Sequence, residues 1–142
     1  MFGLVERLFG VKISDAGDEA AVWDDMVGFF RVSDARTLNP IGAFYLDPFR
    51  AERKNRQGFF TELALSYSKL LGKYGTPRRP IVHIVGDIRP PDEEDGEVML
   101  DFRQVQSLFR AMGDALQELL TEQEEGLAAG SRCKELDAIG FP

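Results

Sequence analysis

A long apolar stripe near the end of the chain constrains the fold more than any other feature. Between about Asp101 and Glu124, Val105, Leu108, Phe109, Met112, Leu116, Leu119 and Leu120 recur at helical spacing. The spacing predicts a helix with one face buried against another element. Gly126 and Gly130 are expected to end it. PIVHIVGDI, residues 80–88, is a continuous apolar run that ends before Pro90 and Pro91. Such a run reads as a strand covered on both faces.

The other elements follow from shorter patterns. Phe2, Val5, Leu8 and Phe9 form a helical stripe closed by Gly10. After the polar stretch SDAGDEA, the β-forming residues Gly28 to Ser33 and Ile41 to Asp47 predict a hairpin, with Asn39 and Pro40 in its connection. Pro48, which has no amide hydrogen to give a ladder, is expected to close the second strand. Phe60, Leu63, Ala64, Tyr67, Leu70 and Leu71 predict a further helix. The order helix, hairpin, helix, strand, helix implies one α+β domain over residues 1–142, with a small, mostly antiparallel sheet.

Composition bears on function chiefly by exclusion. The 142 residues carry a net charge of −7, so no clustered basic surface is expected for phosphate neutralisation and nucleic acid is not an expected partner. Arg50, Arg53, Lys54 and Arg56, and the pair Arg78 and Arg79, read as solvated loops. The acidic run 92–97 lacks the ligand spacing of a calcium loop. No apolar run reaches the ~20 residues needed to span a bilayer. No signal peptide is expected at MFGLVERLFG, so the reading is intracellular. The single cysteine, Cys133, fits a reducing compartment and has no candidate base near it in sequence. Eleven phenylalanines are a large apolar load for this length, so an exposed patch covered by a protein partner or a second copy is expected.

SLFRAMGDALQELLT, residues 107–121, has the outline of a zinc-peptidase helix. That chemistry needs His at i and i+4 to ligate the metal and a Glu between them to act as general base. Arg110, Ala111 and Asp114 stand there instead, and His83 is the one histidine in the chain. Arg110 and Asp114, four apart, are expected either to pair or to stand as two solvated side chains.

Five stretches in order, VWDDMVGFFRV, IGAFYLDPFRAERKNRQGFF, RRPIVHIVGDIRPP, VMLDFRQVQSLFRAMGDALQELLTEQEEGLAAG and ELDAIGFP, resemble the catalytic core of the thimet oligopeptidase family of zincin metallopeptidases, in particular its oligopeptidase A branch. The resemblance implies a zincin-like core fragment, with the strand at RRPIVHIVGDIRPP bordering the substrate cleft. It places Arg110 at the first His ligand, Ala111 at the general base, Asp114 at the second His and Gly140 at the Glu ligand. Gly113, Ala115, Leu116, Leu119, Leu120 and Thr121 keep the family pattern. Tyr45 and His83 are candidate cleft residues, with a hydrogen-bonded structural histidine within the strand as the other reading of His83.

With ligands and base replaced, the expectation is no catalytic residue, no metal and no cofactor. The expected role is a non-catalytic, metallopeptidase-like interaction or structural subunit of a larger assembly. One alternative is a peptide-binding pseudoenzyme keeping part of the cleft along PIVHIVGD. Another is a residual hydrolase that uses a different site or a metal held by carboxylates such as Asp114 and Glu118. The resemblance also suggests a chloroplast or mitochondrion, and otherwise the cytoplasm.

Overall fold

The computed structural model describes residues 1–49, 58–65, 68–71, 77–91 and 96–138. Helix α1 (Phe2–Phe9) stops at Gly10, whose φ of 65° is left-handed and whose amide donates to the Glu6 carbonyl. Glycine takes that conformation without steric cost. Val5 is buried, and the Phe2 ring meets Phe30 edge-on at 5.0 Å and Phe44 at 6.0 Å.

Strand β1 (Val11–Asp15) went unpredicted because its alternation is brief: Val11 and Ile13 point inward between exposed neighbours. A 3-10 turn (Gly17–Glu19) leads on to β2 (Gly28–Asp34) and β3 (Pro40–Phe49). These two form the expected hairpin, with Phe30 opposite Phe44 and Phe29 opposite Tyr45. The Asp34 carboxylate fastens its turn by accepting the amides of Arg36 and Thr37. Pro48 does not end the strand; β3 runs through Phe49, and its ladder to the neighbouring strand slips between Asp47 and Phe49. A local irregularity tolerates a residue that donates no ladder bond.

The helix expected over residues 60–71 is two strands, β4 (Phe60–Leu65) and β5 (Ser68–Leu71). Strands β6 (Pro77–Arg78) and β7 (Ile81–Ile88) follow. Leucine and alanine do fit a helix, but β7 offers β4 a ladder, with Leu63 opposite Val82 and Thr61 opposite Ile84, that slips only between Leu63 and Leu65. Long-range pairing outweighs local propensity here. Entry into β4 is set by Gly58, at φ 79°, and by the Phe59 amide donating to Ser107 Oγ at 2.9 Å.

The main sheet is mixed, in the order β1-β2-β3-β7-β4. β3 and β7 run parallel, whereas the other three neighbouring pairs are antiparallel. β5 and β6 form a separate small pair. This is an α+β arrangement: one long helix lies on one face of the sheet.

That helix, α2 (Phe102–Ala138), begins with a reciprocal cap. Asp101 Oδ1 accepts the Gln104 amide at 2.8 Å, and Gln104 Oε1 accepts the Asp101 amide at 2.9 Å, which satisfies two amides that a helix start leaves unbonded. The helix continues through Gly126 and Gly130 rather than ending there, since a glycine weakens a helix by only about 1 kcal/mol and does not block it. Ala111, Met112, Ala115, Leu116 and Leu119 form the core with Val32, Phe44, Val82 and Ile84. Contact is close because β3 carries Gly42 beneath the helix. A Cβ there would lie 2.6 Å from the Pro80 carbonyl oxygen and 2.8 Å from Leu119 Cδ2. The aromatic load is divided: Phe2, Phe30, Phe44 and Phe59 join this core, while Phe9, Phe102 and Phe109 remain exposed.

Two predictions follow from these contacts. Gly42→Ala forces backbone and helix apart and is expected to cost about 1–3 kcal/mol, read as a lower Tm; an unchanged Tm contradicts the close approach. The second concerns acid. The Ile13 amide, helped by Lys12, holds the Glu6 carboxyl below its ordinary range, and the Thr37 and Arg36 amides do the same for Asp34. A depressed folded-state pKa contributes stability that is present above the unfolded value and lost as pH falls through the folded one. Glu6→Gln and Asp34→Asn are therefore expected to flatten the acid limb of Tm against pH, with the largest deficit near neutrality.

Candidate functional site

The positions that the resemblance assigns to zinc chemistry lie on α2, and helix geometry separates them. Residues 111, 112, 115, 116 and 119 face the sheet, and Ala111 is buried against it. Arg110 and Asp114 fall on the next face and are exposed. They line a groove with Phe9, Phe109, Gly113 and Leu120. No ion pair joins Arg110 to Asp114 among the described residues. Within one helix the order Arg then Asp opposes the helix dipole. Gly140 lies outside the described residues, and so do the side chain of Cys133, the basic stretch 50–57 and Asp92 to Asp95.

Those side chains supply one carboxylate beside a permanent cation. Among the described residues no three His, Cys, Asp or Glu side chains cluster so as to hold a metal ion. Zinc takes three or four nitrogen, sulfur or oxygen ligands. Arg110, Ala111 and Asp114 do not make up the donor set of the zinc ion that the resemblance implies.

Tyr45 and His83 meet on the opposite face of the sheet. They are register partners on β3 and β7, with ring centroids 6.3 Å apart. Sequence reasoning missed what surrounds them. Trp23, more than half exposed, packs over both, at 5.1 Å from Tyr45 and 5.0 Å from His83. The Tyr45 hydroxyl donates to the Ala21 carbonyl, which holds the loop before β2 against the sheet. Asp47 Oδ2 stands 3.7 Å from His83 Nε2, and Glu62 on β4 is the register partner of His83. The single tryptophan in a polar loop was the one signal available for this cluster. The sheet lies between these residues and Arg110 with Asp114, so one site does not contain both sets.

The strand that the resemblance sets beside the substrate cleft is β7. It is interior, flanked by β3 and β4. β4 ends the sheet order instead, running antiparallel to β7 with Glu62, Leu63 and Ala64 exposed.

A family model described as Peptidase family M3 matches residues 1–142. The chain is 38% identical over 143 residues to the organellar oligopeptidase A, chloroplastic/mitochondrial, of Arabidopsis thaliana, matching 100% of this chain and 18% of that protein. It is 36% identical over 143 residues to the probable cytosolic oligopeptidase A of the same plant, matching 100% of this chain and 20% of that protein. The chain thus spans about a fifth of the length of these relatives. No helix among the described residues is long and apolar enough to cross a membrane.

These relatives correct the expectation that the chain is not an enzyme. Both are named as oligopeptidases, and the matching family is one of peptidases, so kinship points to an enzyme whatever the donor set on α2. On the full-length match and the two relatives together, the chain belongs to peptidase family M3.

Proposed function

We propose that this chain serves peptide hydrolysis in an oligopeptidase A-type peptidase by holding an extended peptide along β4. The observation that carries the reading is the place of β4: the last strand of the sheet order, antiparallel to its neighbour, with exposed residues along it. An extended peptide adds to such an edge through main-chain hydrogen bonds, and so accepts many sequences. That tolerance suits the oligopeptidase activity named for both relatives. Glu62 and Leu63 alternate along the strand and would distinguish the side chains of a bound peptide on its two faces.

In this reading residues 1–142 act as one unit, with Arg110, Ala111, Asp114 and Gly140 as non-liganding positions. The hydrolytic step draws on groups outside these four. Ala111 serves the helix–sheet core and not proton transfer, because it is buried and carries no titratable group. The compartment follows the relatives, organellar or cytosolic.

The test is fluorescence anisotropy with a labelled, unstructured peptide of about ten residues, long enough to cover a strand. Saturable binding is expected. N-methylating alternate peptide amides removes main-chain donors worth about 1 kcal/mol each, so losing two is expected to weaken binding about tenfold or more. Equal affinity for both peptides sinks the edge-pairing reading. Mass spectrometry of the same mixture reads cleavage separately.

A further inference from the structure

Arg78 and Arg79, read from the sequence as solvated loop residues, stand at a recess on the face of the sheet away from α2. Among the described residues, Arg31 of β2 and Glu19 line it with them, and Phe29 and Ile81 add apolar surface. The recess holds about 260 Å³. Glu19 forms an ion pair with Arg31, and the two remaining guanidinium groups make the lining positive in a chain whose net charge is −7. The sign of that lining is a property of these residues and holds whether or not the recess is covered.

The recess reaches the end of β4. The ladder between β4 and β7 slips between Leu63 and Leu65, so that Leu65 stands opposite Ile81. Residues directly opposed on neighbouring strands share a face, and Ile81 packs with Phe29 and Ala43 on the side away from α2. Leu65 lines the recess with them. A strand added to the outer edge of β4 lies about 4.8 Å further out. Its residue opposite Leu65 turns its side chain to the same face, within the span of a long arginine side chain. Glu62 faces that way too, opposite His83. The edge therefore carries a carboxylate towards its start and guanidinium groups at its end.

We propose that the guanidinium groups of this recess select an acidic side chain on a bound peptide, at the residue that pairs with Leu65. This selection rests on the peptide-holding role proposed for β4 and adds a charge preference to it. A guanidinium presents a planar fork of donors that a carboxylate accepts in pairs. A lysine at the same position meets like charge. Main-chain pairing leaves the other positions tolerant, so the acidic preference belongs to the Leu65 end of the strand, and Glu62 sets the opposite preference towards its start.

Fluorescence anisotropy of the 142-residue chain with three labelled, end-capped peptides of about ten residues tests it: one neutral, one with a central glutamate, one with a central lysine. Capping removes the terminal charges, so the side chain supplies the only carboxylate. The glutamate peptide is expected to bind about fivefold tighter than the neutral one, and the lysine peptide more weakly than either. Long-range attraction to a chain of net charge −7 favours lysine, so the reverse order reports the recess. Arg78 is exposed, and Arg78→Glu leaves two guanidinium groups against two carboxylates in the lining. Its circular dichroism is expected to match the wild type and its Kd for the neutral peptide to stay within about twofold, while the glutamate preference disappears. Arg7→Glu makes the same change of charge on α1 and is expected to leave the preference intact. If N-methylating the neutral peptide does not weaken it, edge pairing fails and the selection fails with it. If N-methylation weakens binding but glutamate brings no gain, or Arg7→Glu removes the gain as fully as Arg78→Glu, the selection alone is overturned and the role of β4 stands.

Discussion

The fit of α2 into the sheet governs the rest of this molecule. Met112, Ala115, Leu116 and Leu119 are fully buried against Phe44, Val82 and Ile84, and each large side chain among them carries on the order of 2–5 kcal/mol against truncation to alanine. That contact needs Gly42 under the helix and Ser107 at its entry, where the hydroxyl receives the Phe59 amide. With one face of a helix committed in this way, the 100° advance per residue decides where every other position points. Ala111 goes into the core; Arg110, Gly113 and Asp114 turn out to the neighbouring groove.

The sheet imposes a second division. β3 and β7 lie side by side and parallel, so the chain between them must cross over, and part of that crossover returns as the edge strand β4. Alternation then sends Phe44, Val82 and Ile84 toward α2 and sends Tyr45 and His83 the other way. The aromatic cluster under Trp23 and the charged groove on α2 are therefore separate surfaces, each with its own chemistry. The edge of β4 belongs to neither: what it offers is backbone amides and carbonyls, which every strand has and no sequence pattern marks.

Much of this was legible where local chemistry and tertiary structure agree. The α1 stripe closed by Gly10, the hairpin from Gly28 to Asp47 and the apolar run of β7 announce themselves because their local preferences match their final pairings. The stretch 60–71 misled because Leu63, Ala64, Leu70 and Leu71 fit a helix as readily as a strand, and the deciding partner, β7, lies beyond them in sequence. Gly126 and Gly130 misled in the opposite direction. They weaken helix formation without forbidding it, and α2 runs through both. The aromatic cluster was half visible: Tyr45 and His83 stood in recognisable strands, but the loop that sets Trp23 over them is tied down by the Tyr45 hydroxyl donating to the Ala21 carbonyl and by Asp24 accepting the Met26 and Val27 amides.

Inferring inactivity from the substituted helix failed for a reason that can be stated physically. Arg110, Ala111 and Asp114 determine what those three side chains can ligate, and zinc is not among the ions they suit. Family membership rests on something else. It rests on the family model that matches residues 1–142 and on identities of 36% and 38% across the whole chain. A peptidase distributes its work between holding an extended substrate and polarising one bond, and the first task needs a strand edge and no metal. Residue chemistry at four positions bears on the second task alone. The backbone geometry of this chain bears on the first, so the proposed peptide-holding role rests on the edge of β4.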